Sequence, residues 1–178
     1  MNKILIALII GTIMALSPHK DAAAQQYSYI QVDNNPGKCL DFDTAGATPY
    51  LQVWGCAGAA AYNQRWYWHY VMSYSGSAAY MLQNAATGTC VGVQNQSLGN
   101  AAKLVQVWCN STDPSQHWIR LTRDANISSR SKYMNGNSGK CMDIYSTSNG
   151  TAFQQYDCAT SSYWAPQMFR ASLIPDGT

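Results

Sequence analysis

Three times, at intervals of about fifty residues, this chain repeats a cysteine, a glutamine with an aromatic residue, a second cysteine and a further glutamine-aromatic pair. The first copy runs Gly37-Lys38-Cys39-Leu40-Asp41, then Gln52-Val53-Trp54-Gly55-Cys56, then Asn63-Gln64-Arg65-Trp66. The second has Gly88-Thr89-Cys90-Val91-Gly92, Gln106-Val107-Trp108-Cys109 and Ser115-Gln116-His117-Trp118. The third has Gly139-Lys140-Cys141-Met142-Asp143, Gln154-Gln155-Tyr156-Asp157-Cys158 and Pro166-Gln167-Met168-Phe169. A unit this small buries an apolar face only against its neighbours, so three equal units must pack together. That leaves no obvious room for a separate catalytic domain.

The first residues stand apart from the repeats. Lys3 begins a short positive region, Ile4 to Leu16 are apolar, and Ala22-Ala23-Ala24 supply small residues, so 1–24 read as a secretory signal peptide. The apolar run falls short of the roughly 20 residues a membrane span needs, so membrane insertion is not expected. The expected mature chain, 25–178, is one domain with repeats at about 27–75, 76–127 and 128–174. All six cysteines lie in it. In an exported chain an even cysteine count reads as disulfides rather than as a metal site. Six cysteines allow many pairings, and the repeat selects Cys39 with Cys56, Cys90 with Cys109 and Cys141 with Cys158. Each bridge closes a short loop, worth roughly 3 kcal/mol in the chain-entropy view.

Charge narrows the function classes. With 11 Lys and Arg against 9 acids, the basic residues scattered, a nucleic-acid partner is not expected. Every acid is an aspartate, whereas Tyr, Trp, Asn, Gln and Ser abound. Such a surface suits neutral polar ligands held by hydrogen bonds and ring stacking. Short β-branched or aromatic segments recur between Gly, Asn, Ser and Pro, predicting strands at 27–32, 38–42, 51–54 and 65–71. The second third gives 79–84, 89–93, 104–108 and 118–122, and the last third 132–135, 140–144, 153–156 and 168–173. Asn135-Gly136 and Asn149-Gly150 fit tight hairpin turns with positive backbone angles. Four strands in each of three repeats, closed around a shared axis, make an all-β β-trefoil.

The elements Gln64-x-Trp66, Gln116-x-Trp118 and Gln167-x-Phe169, with the Cys-x-Asp and Gln-x-aromatic-x-Cys patterns, resemble the ricin B-type lectins over the whole mature chain. The resemblance implies a β-trefoil with Trp66, Trp118 and Phe169 in a shared core. It also implies one potential sugar pocket per repeat, with no catalytic activity and no cofactor. A pocket of this type needs an aspartate to orient hydroxyls, an aromatic face for the apolar side of a pyranose, and amides for the remaining hydroxyls. The first repeat keeps the set: Asp41 as acceptor, Gln52, Trp54 as stacking platform, Asn63 as second hydroxyl partner, and Gln64 bracing Asp41. The third keeps Asp143, Gln154, Tyr156 and Gln167, but Pro166 stands where the first has Asn63, so a contact is lost unless Asp157 or a water replaces it. The second has Gly92 for the aspartate and Ser115 for the asparagine, which predicts a silent pocket in which Trp108 is structural.

The expected ligand is a glycan of galactose or N-acetylgalactosamine type, with xylose-type plant or cell-wall polysaccharide as the alternative. A glycosidase is disfavoured because hydrolysis usually needs two carboxyl groups across the scissile bond, and Asp41 and Asp143 lie in different repeats. Asp43 reads as a turn acid, and His69 and His117 sit in unrelated contexts. A trefoil protease inhibitor would act through an exposed loop, at 57–62 or 73–77. As a lectin the chain would work alone or as the non-covalent targeting partner of a toxin or hydrolase, since no cysteine is spare. Asn95, Asn110, Asn126 and Asn149 head sequons that matter only in a eukaryotic producer.

Overall fold

A computed structural model of the protein describes residues 27–46, 49–122, 130–161 and 164–171. The expected signal, the sequon at Asn126 and the last two residues of the predicted final strand lie outside the described residues. Among the described residues there are twelve strands, one for each expected. They are β1 (Ile30–Val32), β2 (Asn35–Phe42), β3 (Leu51–Gly55), β4 (Trp66–Tyr74), β5 (Ser77–Asn84) and β6 (Cys90–Val93). Then follow β7 (Leu104–Val107), β8 (Trp118–Thr122), β9 (Arg130–Asn135), β10 (Cys141–Asp143), β11 (Gln154–Tyr156) and β12 (Phe169–Ala171). A 3-10 turn, Tyr62–Gln64, Pro114–Gln116 or Ala165–Gln167, precedes the fourth strand of each repeat.

Antiparallel pairs β1–β12, β12–β9, β9–β8, β8–β5 and β5–β4 form a six-stranded ring, and the bridge Ser28↔Trp66 joins its ends. Hairpins β2–β3, β6–β7 and β10–β11 cap one end of it. Single bridges Tyr50↔Val105, Gln52↔Ala152 and Lys103↔Gln154 tie the three hairpins into a triangle. A closed six-stranded ring capped by three hairpins, one from each repeat, is a β-trefoil.

The core repeats with the sequence. Leu40, Val91 and Met142, each following the first cysteine of its repeat, are fully buried. So are Leu51, Leu104 and Phe153, and so are Trp66, Trp118 and Phe169. Each such side chain contributes about 1.5–3 kcal/mol on burial. The indole N–H groups are satisfied in the same way in two repeats: Trp66 Nε1 donates to the Leu40 carbonyl at 3.1 Å and Trp118 Nε1 to that of Val91 at 3.0 Å. Where β1 meets β12 and β9, buried Asp33 takes Arg130 Nε at 2.7 Å and also pairs with Arg170. All three expected disulfides are formed, with Cα–Cα separations of 5.1, 4.9 and 4.9 Å.

Both turn expectations need correction. After β9 the positive φ falls on Gly139 (69°), whose N–H reaches the Asn135 carbonyl at 2.9 Å, and not on Gly136. Gly136 is small for another reason: a Cβ there would lie 3.0 Å from His117 Cβ and 3.0 Å from the Tyr74 hydroxyl. Gly150 does have positive φ (82°), but it turns the chain inside the long β10–β11 connection, with Thr151 N–H on the Ser148 carbonyl at 3.1 Å. It does not form a two-residue hairpin.

Candidate functional site

The first repeat assembles its site on the β2–β3 hairpin and the following 3-10 turn. Pairing places Asp41 opposite Gln52 and Cys39 opposite Trp54, so one face of the hairpin carries both the acid and the ring. Gln52 Nε2 donates to Asp41 Oδ1 at 3.0 Å, while Asn63 Nδ2 and Gln64 Nε2 donate to Oδ2 at 2.9 and 2.8 Å. Asn63 is itself held by the Phe42 carbonyl at 2.9 Å. Asp41 is thus buried and fixed by neutral donors. Burial raises its pKa above the usual carboxylate value; the amides of Gln52 and Gln64 partly offset this, Asp43 adds repulsion and Asn63 lowers it again.

These residues line one cleft of about 310 Å³: Asp41, Gln52, Trp54, Asn63 and Gln64, joined by Asp43, Thr44, Ala45 and Ala57. Trp54 forms an open wall, 43% exposed. Of the roughly four acceptor positions of a carboxylate, three on Asp41 are taken by amides. One is therefore open to a ligand hydroxyl unless an amide yields. Asp43 serves its turn, accepting Ala45 N–H at 2.9 Å, and also reaches the cleft.

Gln64 has a second function that recurs in every repeat. Its Nε2 donates to the Gly55 carbonyl at 2.9 Å and its Oε1 accepts from Ala57 N–H at 2.9 Å. Gln116 does the same with the Trp108 carbonyl (3.1 Å) and Asn110 N–H (3.0 Å), and Gln167 with the Asp157 carbonyl (2.9 Å) and Ala159 N–H (2.9 Å). The glutamine of each Gln-x-aromatic element therefore staples the loop around the second cysteine.

That staple corrects the reading of the second repeat. Gly55, Trp108 and Asp157 are equivalent, and pairing sets Val105 opposite Gly92 and Val107 opposite Cys90. Val107, not Trp108, occupies the place of Trp54. A Cβ on Gly92 would lie 2.8 Å from Val107 Cγ2, so the space of the missing aspartate is filled by valine. Trp108 is not structural: it is 84% exposed. Counting back from the second cysteine, rather than matching Gln-x-aromatic, would have found this.

In the third repeat Gln154 Nε2 donates to Asp143 Oδ1 at 3.0 Å, matching Gln52 on Asp41. Burial raises the Asp143 pKa, with Gln154 and Gln167 lowering it. Asp143, Gln154 and Tyr156 line a cleft of about 220 Å³ with Ile144, Tyr145, Trp164 and Pro166. Gln167 is buried and does not line this cleft. Asp157 does not replace the lost asparagine; it pairs outside with Lys140 Nζ at 2.5 Å and Asn100 Nδ2 at 2.8 Å. Tyr145 and Trp164 were not foreseen. Their signal was weak, since the first repeat has Asp43 and Ala61 at the matching places.

Among the described residues no group of three or more His, Cys, Asp or Glu is arranged to hold a metal. His69 faces Gln83 Oε1 at 2.8 Å, and His117 contacts the Tyr74 hydroxyl at 2.9 Å and the Ser111 carbonyl at 3.0 Å.

Known structures share this architecture. An exo-β-1,3-galactanase from Clostridium thermocellum superposes with TM-score 0.66 at 19% identity, covering 86% of this chain and 31% of that one. A ricin B-like lectin of Macrolepiota procera in complex with lactose gives 0.62 at 17% identity, covering 83% and 94%. The Haemophilus ducreyi cytolethal distending toxin gives 0.61 at 17%, covering 85% and 86%. At these identities the likeness is one of fold. No curated protein sequence matches the chain. The family described as "Ricin-type beta-trefoil lectin domain-like" matches residues 62–156, more than half the chain. By sequence and fold together, the chain belongs to the ricin-type β-trefoil lectin family of non-catalytic carbohydrate-binding domains.

Proposed function

We propose that the protein is a secreted lectin that binds glycans of galactose or N-acetylgalactosamine type through the first cleft, with the altered third cleft as a second site. One observation carries this reading: buried Asp41, held by three amides, lies beside the exposed indole of Trp54 in a single cleft. A charged acceptor fixes hydroxyls in orientation, and an indole face takes the apolar side of a pyranose. The lactose on the Macrolepiota lectin favours galactose over xylose. Three disulfides fit an oxidising extracellular setting. The toxin and galactanase likenesses favour a targeting role beside a toxic or catalytic partner.

A single sugar in such a cleft is held weakly, with a millimolar constant corresponding to about 4 kcal/mol, and two clefts on one branched glycan multiply it. The test is a glycan array on the oxidised protein beside Asp41→Ala and Trp54→Ala, with a protease panel in parallel. Binding to terminal galactose or N-acetylgalactosamine, weakened at least tenfold by either change, is expected. Unaltered binding in both variants would remove the first cleft from the reading. Protease inhibition without any glycan binding would overturn the lectin itself.

A further inference from the structure

We infer that the third cleft is the inner end of a longer groove that takes two or more consecutive sugar rings. This rests on the lectin reading above. Next to the cleft of about 220 Å³ lies a second hollow of about 80 Å³, and the two share Ile144, Tyr145 and Pro166 as lining. The two hollows therefore adjoin at these three residues. The inner end carries the Asp143–Gln154 pair, with the same 3.0 Å contact that joins Asp41 and Gln52. The outer end carries Asn34, Ser146 and Thr147, three neutral hydrogen-bonding side chains.

Between these polar ends the surface is aromatic. Tyr156, Trp164 and Tyr145 are 45%, 50% and 68% exposed, and Pro166 presents an apolar ring where the first repeat presents the Asn63 amide. Each of three positions has thus exchanged a small or polar side chain for a ring: Asp43 for Tyr145, Ala61 for Trp164, Asn63 for Pro166. A groove with alternating apolar rings and neutral donors matches a neutral glycan, whose rings have C–H faces and hydroxyl edges. Among the described residues no Lys or Arg lines the two hollows, and Lys103 touches their wall only from behind Tyr145 and Gln154.

Other repeats hold the groove in shape. From the second repeat, Lys103 Nζ lies 5.5 Å from the Tyr145 ring centroid and donates to Gln154 Oε1 at 3.4 Å. From the first, Asn35 Nδ2 donates to Thr147 Oγ1 at 3.4 Å. The groove is therefore supported at the junction of all three repeats.

The experiment uses full-length oxidised protein carrying Asp41→Ala, which confines binding to the third cleft. Affinities are measured by calorimetry for galactose and for its linear two- and three-ring oligosaccharides, and for the matching xylose series. The expected result is at least about a tenfold rise from one ring to three in one series, corresponding to one decade of dissociation constant. Adding Tyr145→Ala should collapse the ratio of three-ring to one-ring affinity to below about two. A flat response to length, or a length gain that survives Tyr145→Ala, overturns the proposal. If the Asp41→Ala protein binds no sugar while the unaltered protein does, the groove is lost but the lectin reading stands. If the unaltered protein binds none of these sugars, both fall.

Discussion

Asp41 is a buried carboxylate whose partners are amides rather than cations, and this decides how it answers to acid. An ion pair would hold the charge down to low pH; amides compensate burial only in part, so the net pKa is raised. The sign follows directly. As pH falls, Asp41 takes up its proton at a higher pH than an ordinary aspartate, and the oriented acceptor is lost there. The folded state then binds that proton more tightly than the unfolded chain, so protonation of Asp41 favours the fold and this contribution fades as pH rises through the raised pKa. Asp143 behaves alike. Glycan affinity should therefore decline on mild acidification, before the thermal midpoint does. Calorimetric titration and melting over the same pH series check this, and affinity that holds until the protein unfolds would contradict it.

At the scale of the hairpin, the second repeat shows why restoring one residue does not restore a site. Gly92→Asp brings back the acceptor in name, but its Cβ meets Val107 Cγ2 at 2.8 Å and the facing residue is Val105, which has no side-chain amide to donate. Overpacking of this kind costs about 1–3 kcal/mol. The variant should melt lower and gain no glycan binding in a protein already carrying Asp41→Ala and Asp143→Ala. Gain of binding there would refute the register given above. The hairpins also mark what could be read in advance. Strands, disulfides and the Asp41, Gln52, Asn63 and Gln64 cluster follow from fixed offsets to cysteines, because a bridge and a β-ladder transmit spacing faithfully. Trp108 was misread because its Gln-x-aromatic pattern stands one residue closer to the second cysteine than in the first repeat, so that Val107 and not the tryptophan falls opposite the first cysteine. Tyr145 and Trp164 were missed because loops carry no period, so position there emerges only from packing.

For the whole molecule, threefold order belongs to the core and the staples, while the three rims have diverged into a polar cleft, a more aromatic cleft and a filled hollow. The tryptophans divide along the same line. Trp66, Trp68 and Trp118 are buried, whereas Trp54, Trp108 and Trp164 are exposed. In the native protein a polar quencher should reach only the second trio. Saturating glycan would shield Trp54 and Trp164 and leave Trp108, so the quenchable fluorescence should shrink toward one emitter and not vanish. Quenching unchanged by bound glycan would mean that neither indole stacks on sugar. On the proposed sites the six indoles would act as a built-in optical gauge, in which buried light reports that the fold persists, shielded light reports occupancy of two rims, and Trp108 supplies the constant reference between them.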